Sequence, residues 1–337
     1  MDVKYLEPLV RRAVQEKFPD SLHTMFEILK RASLLGSATP TMNGIPGIGE
    51  NINDAIRKLV FDNFYTIKGN PMDPITELDI IQRLAEPLET QKKTDYLELV
   101  FPADNPHVYE LFCKLMSYSL SMKLGVCLWK CSKYLKGLDM LHPLKLKVVN
   151  VLRADFCQIS HLNIDDIIIL PAYSRDLAAM FINTLFAQTS LPEGVSEVGV
   201  IAAWLSKDYE LLGMIKPQIS NLIRWYLSLC CQGIHDKDLL WKMHLAILEG
   251  VQHRSSAVTH RGAKKHACLT GDDVKSWVKC LSGDCKPAVD MLLQLVYAFL
   301  STNMLSITQE DMDWCMQNIT ETEFSRLITE TKALNVT

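Results

Sequence analysis

The sequence predicts an all-α protein built from two helical lobes with a cleft between them. Apolar residues recur at spacings of three and four along most of the chain, which is the period of an amphipathic helix. Glycine and proline fall mostly between these periodic segments. Short β-branched runs, which are typical of strands, occur only at residues 145–152 and 165–170. Both runs are also compatible with helix ends, so they do not argue for a sheet.

The first quarter of the chain alternates predicted helices with a loop. Residues 20–35 predict a helix capped by Asp20 or Ser21, with these apolar side chains on one face: Leu22, Met25, Phe26, Leu29 and Ala32. Prolines and glycines interrupt the pattern at residues 37–51, which predicts an exposed loop. Helical periodicity then resumes in two segments, residues 51–64 and 73–88.

Long amphipathic helices are predicted for the rest of the chain. They cover residues 107–138, 174–188, 197–215, 219–231, 238–252 and 288–302. No repeat of fixed length is visible, so a regular solenoid is not indicated. The sequence places the boundary between the two lobes near residues 163–175. This predicts an N-terminal lobe of residues 1–165 and a C-terminal lobe of residues 166–337.

Composition and charge narrow the class of protein. The formal net charge is −4 and the pI is near 6.1, so nucleic-acid binding would have to rest on local basic patches. No run of about 18 apolar residues occurs, so we expect no membrane insertion. The N-terminus lacks a charged-then-apolar signal pattern, and ten cysteines are few for a secreted disulfide scaffold. We therefore expect an intracellular protein, in the cytoplasm or nucleus, with all ten cysteines reduced.

The sequence shows no signature of catalysis or of phosphate binding. Three glycines between residues 44 and 49 precede a predicted helix, a pattern that can hold phosphate. However, Glu50 and Asn51 stand where a phosphate-binding loop would need Lys and then Ser or Thr, which favours a flexible surface loop. Local motifs for nucleophilic or metal-dependent hydrolysis are also missing. We therefore expect a protein that is not an enzyme and takes no cofactor.

The cysteine spacings do not indicate a metal site. Cys127 and Cys131 are four residues apart within an apolar helical pattern, where buried thiols are common. Cys280 and Cys285 flank a Gly-Asp turn, with no histidine pair at the spacing that structural zinc prefers. We therefore expect no metal site.

Two basic runs stand out in this mildly acidic chain. The first contains four lysines beside two aromatic residues: Lys123, Lys130, Lys133 and Lys136, with Trp129 and Tyr134. Asp139 is the only acid between residues 111 and 154, and Lys145, Lys147 and Arg153 follow it. The lysine spacings of seven, three and three predict that the first four lie near one helix face.

The second basic run is residues 253–266, directly after a predicted apolar helix. It contains no acid and combines three histidines with four stronger cations, Arg254, Arg261, Lys264 and Lys265. A basic run near a helix end is commonly a solvated face or a partner of the helix dipole. Two such runs in different lobes also fit a surface that binds a polyanion, most favourably single-stranded RNA.

The second run and its flanking helices resemble part of the nucleoproteins of non-segmented negative-strand RNA viruses. Residues 238–266 combine an apolar helix anchored by an aromatic residue with a basic stretch rich in Ser and Arg, and residues 292–301 look like the helix that follows in such proteins. The resemblance implies a viral nucleoprotein that binds single-stranded RNA phosphates in a basic cleft and oligomerises. It implies Arg254 and Arg261 as phosphate ligands, supported by Lys264 and Lys265.

The complete set of predicted RNA-binding residues spans both lobes: Arg254, Arg261, Lys264, Lys265, Lys123, Lys130 and Lys133. The alternative is an intracellular helical scaffold that binds other proteins through an exposed apolar helix face. Geometry discriminates between the two. A concave surface shared by both basic runs would favour RNA, whereas runs on opposite faces would favour the scaffold.

Overall fold

The protein is all-α in the part of the chain that the structure describes. A computed structural model describes residues 7–16, 24, 27, 74–90, 97–157, 170–188, 196–233, 237–259, 268–281 and 285–319. Within these residues, the only strands are two pairs of residues, which confirms the predicted fold class. None of the described helices is both long enough and apolar enough to cross a membrane.

The described helices follow one another in this order: α1 Glu7–Gln15, α2 Pro74–Thr90, α3 Leu97–Val100, α4 Tyr109–Ser121, α5 Gly125–Lys136, α6 Pro143–Cys157, α7 Leu170–Phe186, α8 Ser196–Lys207, α9 Leu211–Met214, α10 Ile219–Cys231, α11 Lys237–Thr259, α12 Gly271–Cys280, α13 Lys286–Ser301 and α14 Gln309–Asn318. Short 3₁₀ helices precede α4 and α10, at Pro106–Val108 and Lys216–Gln218. Strand β1, Leu269–Thr270, precedes α12, and strand β2, Leu305–Ser306, precedes α14.

Contacts within the chain divide it into two compact units, Met1–Val151 and Leu152–Thr337. The boundary predicted between residues 165 and 166 falls in the segment 158–169, which lies outside the described residues. The cleft between the lobes stays a prediction.

Several sequence-based predictions fall outside the described residues. These are the glycine-containing loop at residues 37–51, the helix at 51–64 and nearly all of the helix at 20–35, where only Thr24 and Glu27 are described and both are helical. The β-branched run at residues 145–152 lies within α6. It is therefore helical, as its compatibility with a helix end allowed.

In the N-terminal unit, α5 packs against α2, α3 and α4. The packing includes an aromatic cluster, in which the ring of Phe112 contacts those of Phe101 and Tyr134 at centroid distances of 5.2 and 5.7 Å. The hydroxyl of Tyr134 donates a hydrogen bond to the carbonyl of Phe101. Burial is the main cause that raises the pKa of Tyr134 to about 12, so this phenol stays a donor at neutral pH.

In the C-terminal unit, the most extensive helix pair is α8 with α11. Two glycines allow helices to pack closely in this unit. A Cβ on Gly199 of α8 would lie 3.2 Å from a methyl of Leu239 on α11, and a Cβ on Gly250 of α11 would lie 3.0 Å from a methyl of Leu212 on α9. Helix α10 packs against α11, α12 and α13, and the indole N–H of Trp277 donates to the carbonyl of Ser220 at 3.0 Å. Close-packed helices of this kind bury a continuous apolar core.

The two short strands pair in parallel, with Leu269 opposite Leu305, and each leads into a helix. Both helices begin with the same capping box, in which a Thr and an Asp three residues later bond to each other's backbone: Thr270 with Asp273, and Thr308 with Asp311. Thr-x-x-Asp thus marks both helix starts in the sequence.

Candidate nucleic-acid interface

The structure separates the lysines of the first basic run. Lys123 is exposed in the turn between α4 and α5, where its φ of 58° is left-handed, and Lys133 is exposed within α5. Lys130 is only 1% exposed. A buried side chain is not available to an RNA phosphate, so the prediction that Lys130 belongs to this surface is wrong.

Helix geometry explains the burial of Lys130. Cys127, Cys131 and Leu135 follow one another at a spacing of four residues, and all three are fully buried where α5 packs on its neighbours. Lys130 lies beside this buried row. Lys123 precedes the helix, so the spacing of seven residues between Lys123 and Lys130 does not describe one helix face. The predicted common face of the four lysines is therefore incorrect.

The exposed face of α5 is instead formed by Trp129, Lys133 and Lys136, here called the α5 stripe. These residues are spaced by four and three, so they follow one another along the helix surface. Trp129 is 47% exposed, and the ammonium of Lys133 lies 5.6 Å from the centroid of its ring. Helix α5 contains no acid. The stripe therefore combines an exposed aromatic ring with two cations.

Position in the helix gives the two lysines a structural role as well. Lys133 and Lys136 lie in the last turn of α5, where a positive charge interacts favourably with the carbonyl end of the helix dipole. At the other end, a carboxylate oxygen of Glu89 on α2 accepts a hydrogen bond from the backbone N–H of Cys127 at 2.9 Å. Glu89 thereby caps a helix whose own N-cap, Leu124, supplies no side-chain bond, and it fixes the start of α5.

The cations that follow the first run interact with neighbouring groups of the protein. Lys145 is buried and donates to the carbonyl of Leu138 at 2.7 Å, and burial lowers the pKa of its ammonium. Lys147 lies 3.9 Å from a carboxylate oxygen of Glu110. Arg153 donates to the buried carboxylate of Glu197 at 2.9 Å. Lys145 and Arg153 therefore have structural roles, whereas the exposed ion pair of Lys147 with Glu110 contributes little to stability.

The second basic run begins within a helix, because α11 continues to Thr259. The exposed imidazole of His253 stacks on Tyr209, with ring centroids 5.0 Å apart, and the hydroxyl of Tyr209 lies 3.5 Å from a carboxylate oxygen of Glu249. The side chain of Arg254 and the whole of Arg261, Lys264 and Lys265 lie outside what the structure describes.

Carboxylates flank the start of the second run. On either side of Tyr209, Asp208 and Glu210 both accept hydrogen bonds from Arg175. Glu249 lies one turn before His253 on α11. The absence of acids within residues 253–266 in the sequence therefore does not extend to the surface around His253.

The described residues contain a buried histidine but no constellation for metal binding. His244 is fully buried between Tyr226, whose hydroxyl lies 3.2 Å from Nδ1, and Gln294, whose amide oxygen lies 3.0 Å from Nε2. Burial lowers the pKa of His244. Within the described part of the chain, no group of three or more His, Cys, Asp or Glu side chains is arranged to hold a metal ion.

Trp129 and Lys136 are the residues of this surface that the predicted site set omitted. In the sequence, the spacing of four residues from Trp129 to Lys133 and of seven to Lys136 is the signal that places all three on one helix face.

Comparison with known proteins supplies no family. No protein-family model matches the chain, and no curated protein matches its sequence. A function must therefore be inferred from the residues themselves.

Proposed function

We propose that this chain is a non-enzymatic protein that binds single-stranded RNA, in the manner of a self-associating nucleoprotein. The observation that carries the proposal is the α5 stripe, in which an exposed Trp129 lies beside Lys133 and two turns before Lys136. Single-strand binding surfaces combine cations that contact phosphates with aromatic rings on which unpaired bases stack. The α5 stripe has both elements.

The second basic run, in the C-terminal unit, is a separate part of the proposal. It supplies four residues for phosphate contacts: Arg254, Arg261, Lys264 and Lys265. An Arg side chain can donate two parallel hydrogen bonds to one phosphate, and Lys supplies a point charge. The resemblance of residues 238–266 to nucleoproteins of non-segmented negative-strand RNA viruses supports the same assignment. From the first basic run, the exposed Lys123 and Lys133 belong to the proposed site, whereas the buried Lys130 does not.

The test is fluorescence anisotropy with a short labelled single-stranded RNA across a series of salt concentrations. Each phosphate contact contributes about −0.7 to the log–log salt slope on single strands, so Lys133→Ala with Lys136→Ala should make the slope shallower by about 1.4 units. Trp129→Ala should weaken binding about 5- to 150-fold, the loss expected for one stacked base. Lack of measurable affinity at low salt would exclude the proposal.

The chain offers a matched control for the α5 stripe. The ammonium of Lys279 on α12 also lies 5.6 Å from the ring of a tryptophan, Trp314 on α14. Unlike α5, these two helices are rich in acids, namely Asp272, Asp273, Glu310, Asp311 and Asp313. Lys279→Ala and Trp314→Ala should therefore leave RNA affinity and its salt slope unchanged.

A second candidate function, a protein-binding scaffold, is favoured by a different surface. Trp241 and Leu245 lie four residues apart on α11 and are 42% and 38% exposed, and Tyr297 on α13 is 44% exposed. Exposed aromatic side chains of this size are common anchors of protein interfaces. If Trp241→Ala with Leu245→Ala abolishes self-association in sedimentation velocity while Leu78→Ala on α2 does not, this surface is a protein interface. The scaffold function requires in addition that the wild type has no measurable affinity for single-stranded RNA.

A further inference from the structure

Four cysteines of the C-terminal unit belong to elements that pack together. Cys230 and Cys231 end α10, Cys280 ends α12, and Cys285 is the N-cap of α13. Helix α10 packs against both α12 and α13, which brings the four thiols to one region of the unit. We call this group the thiol cluster.

Within the thiol cluster, the side chain of Cys285 contacts the backbone of Cys230. They are 55 residues apart in the sequence, yet the sulfur of Cys285 lies 3.6 Å from the carbonyl oxygen of Cys230. Both side chains are partly exposed, whereas Cys113, Cys127, Cys131 and Cys315 are buried. Solvent therefore reaches part of each of these two residues.

The environment of the thiol cluster favours thiols over thiolates. Burial, with the neighbouring thiols of Cys285 and Cys231, raises the pKa of Cys230 to about 12, and burial is the main cause that raises the pKa of Cys280 to about 11. Both residues are thus protonated at neutral pH. Because the thiolate is the form that reacts with peroxide, oxidation at Cys230 should be slow at neutral pH and faster as the pH rises.

We propose that Cys230 and Cys285 form a site of reversible oxidation, at which hydrogen peroxide produces a disulfide between the end of α10 and the start of α13. Peroxide first oxidises one thiol to a sulfenic acid and releases one water. The second thiol then attacks that sulfur, the S–S bond forms, and the sulfenic hydroxyl leaves with the thiol proton as a second water. Two thiols are oxidised and one peroxide is reduced.

The disulfide ties two helices that are distant in sequence, so its effect falls on the unfolded chain. A cross-link between residues 55 apart restricts the unfolded ensemble and leaves the packed helices joined as they are. Oxidation should therefore raise the melting temperature of the C-terminal unit. The proposed oxidation is independent of RNA binding by the α5 stripe, which lies in the other unit.

The experiment treats the folded full-length chain with hydrogen peroxide, blocks remaining thiols by alkylation, and maps disulfides by mass spectrometry without reduction. The expected product is a peptide containing Cys230 joined to one containing Cys285, cleaved again by dithiothreitol. Fragmentation between Cys230 and Cys231 distinguishes the two neighbours. A bond between Cys231 and Cys280, overoxidation without a bond, or a bond formed only after denaturation in urea would each overturn the proposal.

Substitutions provide a second measurement. Cys285→Ser should abolish both the disulfide and the rise in melting temperature on oxidation. Cys315→Ser is the matched control, since Cys315 is buried on α14 and burial raises its pKa to about 11. A rise in melting temperature that persists in Cys285→Ser would contradict the assignment.

Discussion

The ammonium of Lys275 lies 2.6 Å from Oδ1 of Asp311, and this ion pair joins α12 to α14. The other carboxylate oxygen of Asp311 accepts hydrogen bonds from the backbone N–H and the hydroxyl of Thr308, at 3.0 and 2.6 Å. Both partners favour the charged carboxylate and lower the pKa of Asp311 to about 2, with Lys275 as the larger cause and Thr308 as the next. Gly271 makes room for this arrangement, because a Cβ there would lie 2.1 Å from Oδ2 of Asp311.

We predict that Asp311 stabilises the fold at neutral pH and that acid removes this contribution. A carboxyl whose folded pKa is depressed stabilises fully above its unfolded pKa of about 3.9. The stability is lost as the pH falls through about 2. Asp311→Asn should therefore melt below wild type at neutral pH, with a gap that narrows on acidification in thermal circular dichroism. A gap independent of pH would contradict this origin, and Asp313→Asn on the same helix is the control.

The second prediction concerns His244, whose two ring nitrogens lie against Tyr226 and Gln294. Burial lowers its pKa below the unfolded value of about 6.5, so the unfolded chain takes up this proton first as the pH falls. The contribution of His244 to the free energy of unfolding is therefore complete above the unfolded pKa. Between that value and the folded pKa it declines with falling pH, by at most about 1.4 kcal/mol per pH unit for one proton.

Urea unfolding of wild type and His244→Gln at a series of pH values measures this effect. The substitution removes the titrating group, so the free energy of unfolding should fall less steeply with acidification in His244→Gln than in wild type. Equal slopes in the two proteins would show that the pH dependence comes from other groups.

The third prediction separates the two lysines that the sequence grouped together. Lys130 is buried, so Lys130→Ala removes a packed side chain and should lower the free energy of unfolding by more than about 1 kcal/mol. Lys133 is exposed, so Lys133→Ala should lower it by less than about 1 kcal/mol, through loss of its contact with Trp129 and with the helix dipole. Chemical denaturation of both variants tests the assignment, which fails if Lys130→Ala is as stable as wild type.

The same two lysines show how far the sequence could predict the structure. Helical periodicity predicted the α-class because each helix buries one face, and that face recurs every three to four residues. Periodicity does not say where a helix begins, and the turn at Lys123 shifted the register of the lysines. The strands at Leu269 and Leu305 are two residues long, too short for an alternating pattern. The stacking of His253 on Tyr209 depends on tertiary packing, which spacing along the chain does not reveal.

The last prediction concerns Arg254, Arg261, Lys264 and Lys265 together. If all four contact phosphates of single-stranded RNA, replacing them by Ala removes four contacts and makes the log–log salt slope shallower by about three units. The far-UV circular dichroism should stay unchanged, because packing of the apolar face of α11 in the core stabilises the helix independently of these cations.

Phosphate contacts carry no sequence information, so the loss should be equal for RNAs of different sequence. Lys279→Ala with Lys286→Ala is the matched control, since it removes exposed cations from α12 and α13. A quadruple variant that binds RNA as tightly as wild type, with the same salt slope, would assign residues 253–266 to solubility or to an acidic protein partner. The scaffold function would then be favoured, because the exposed Trp241 and Leu245 lie on the same helix that leads into this run.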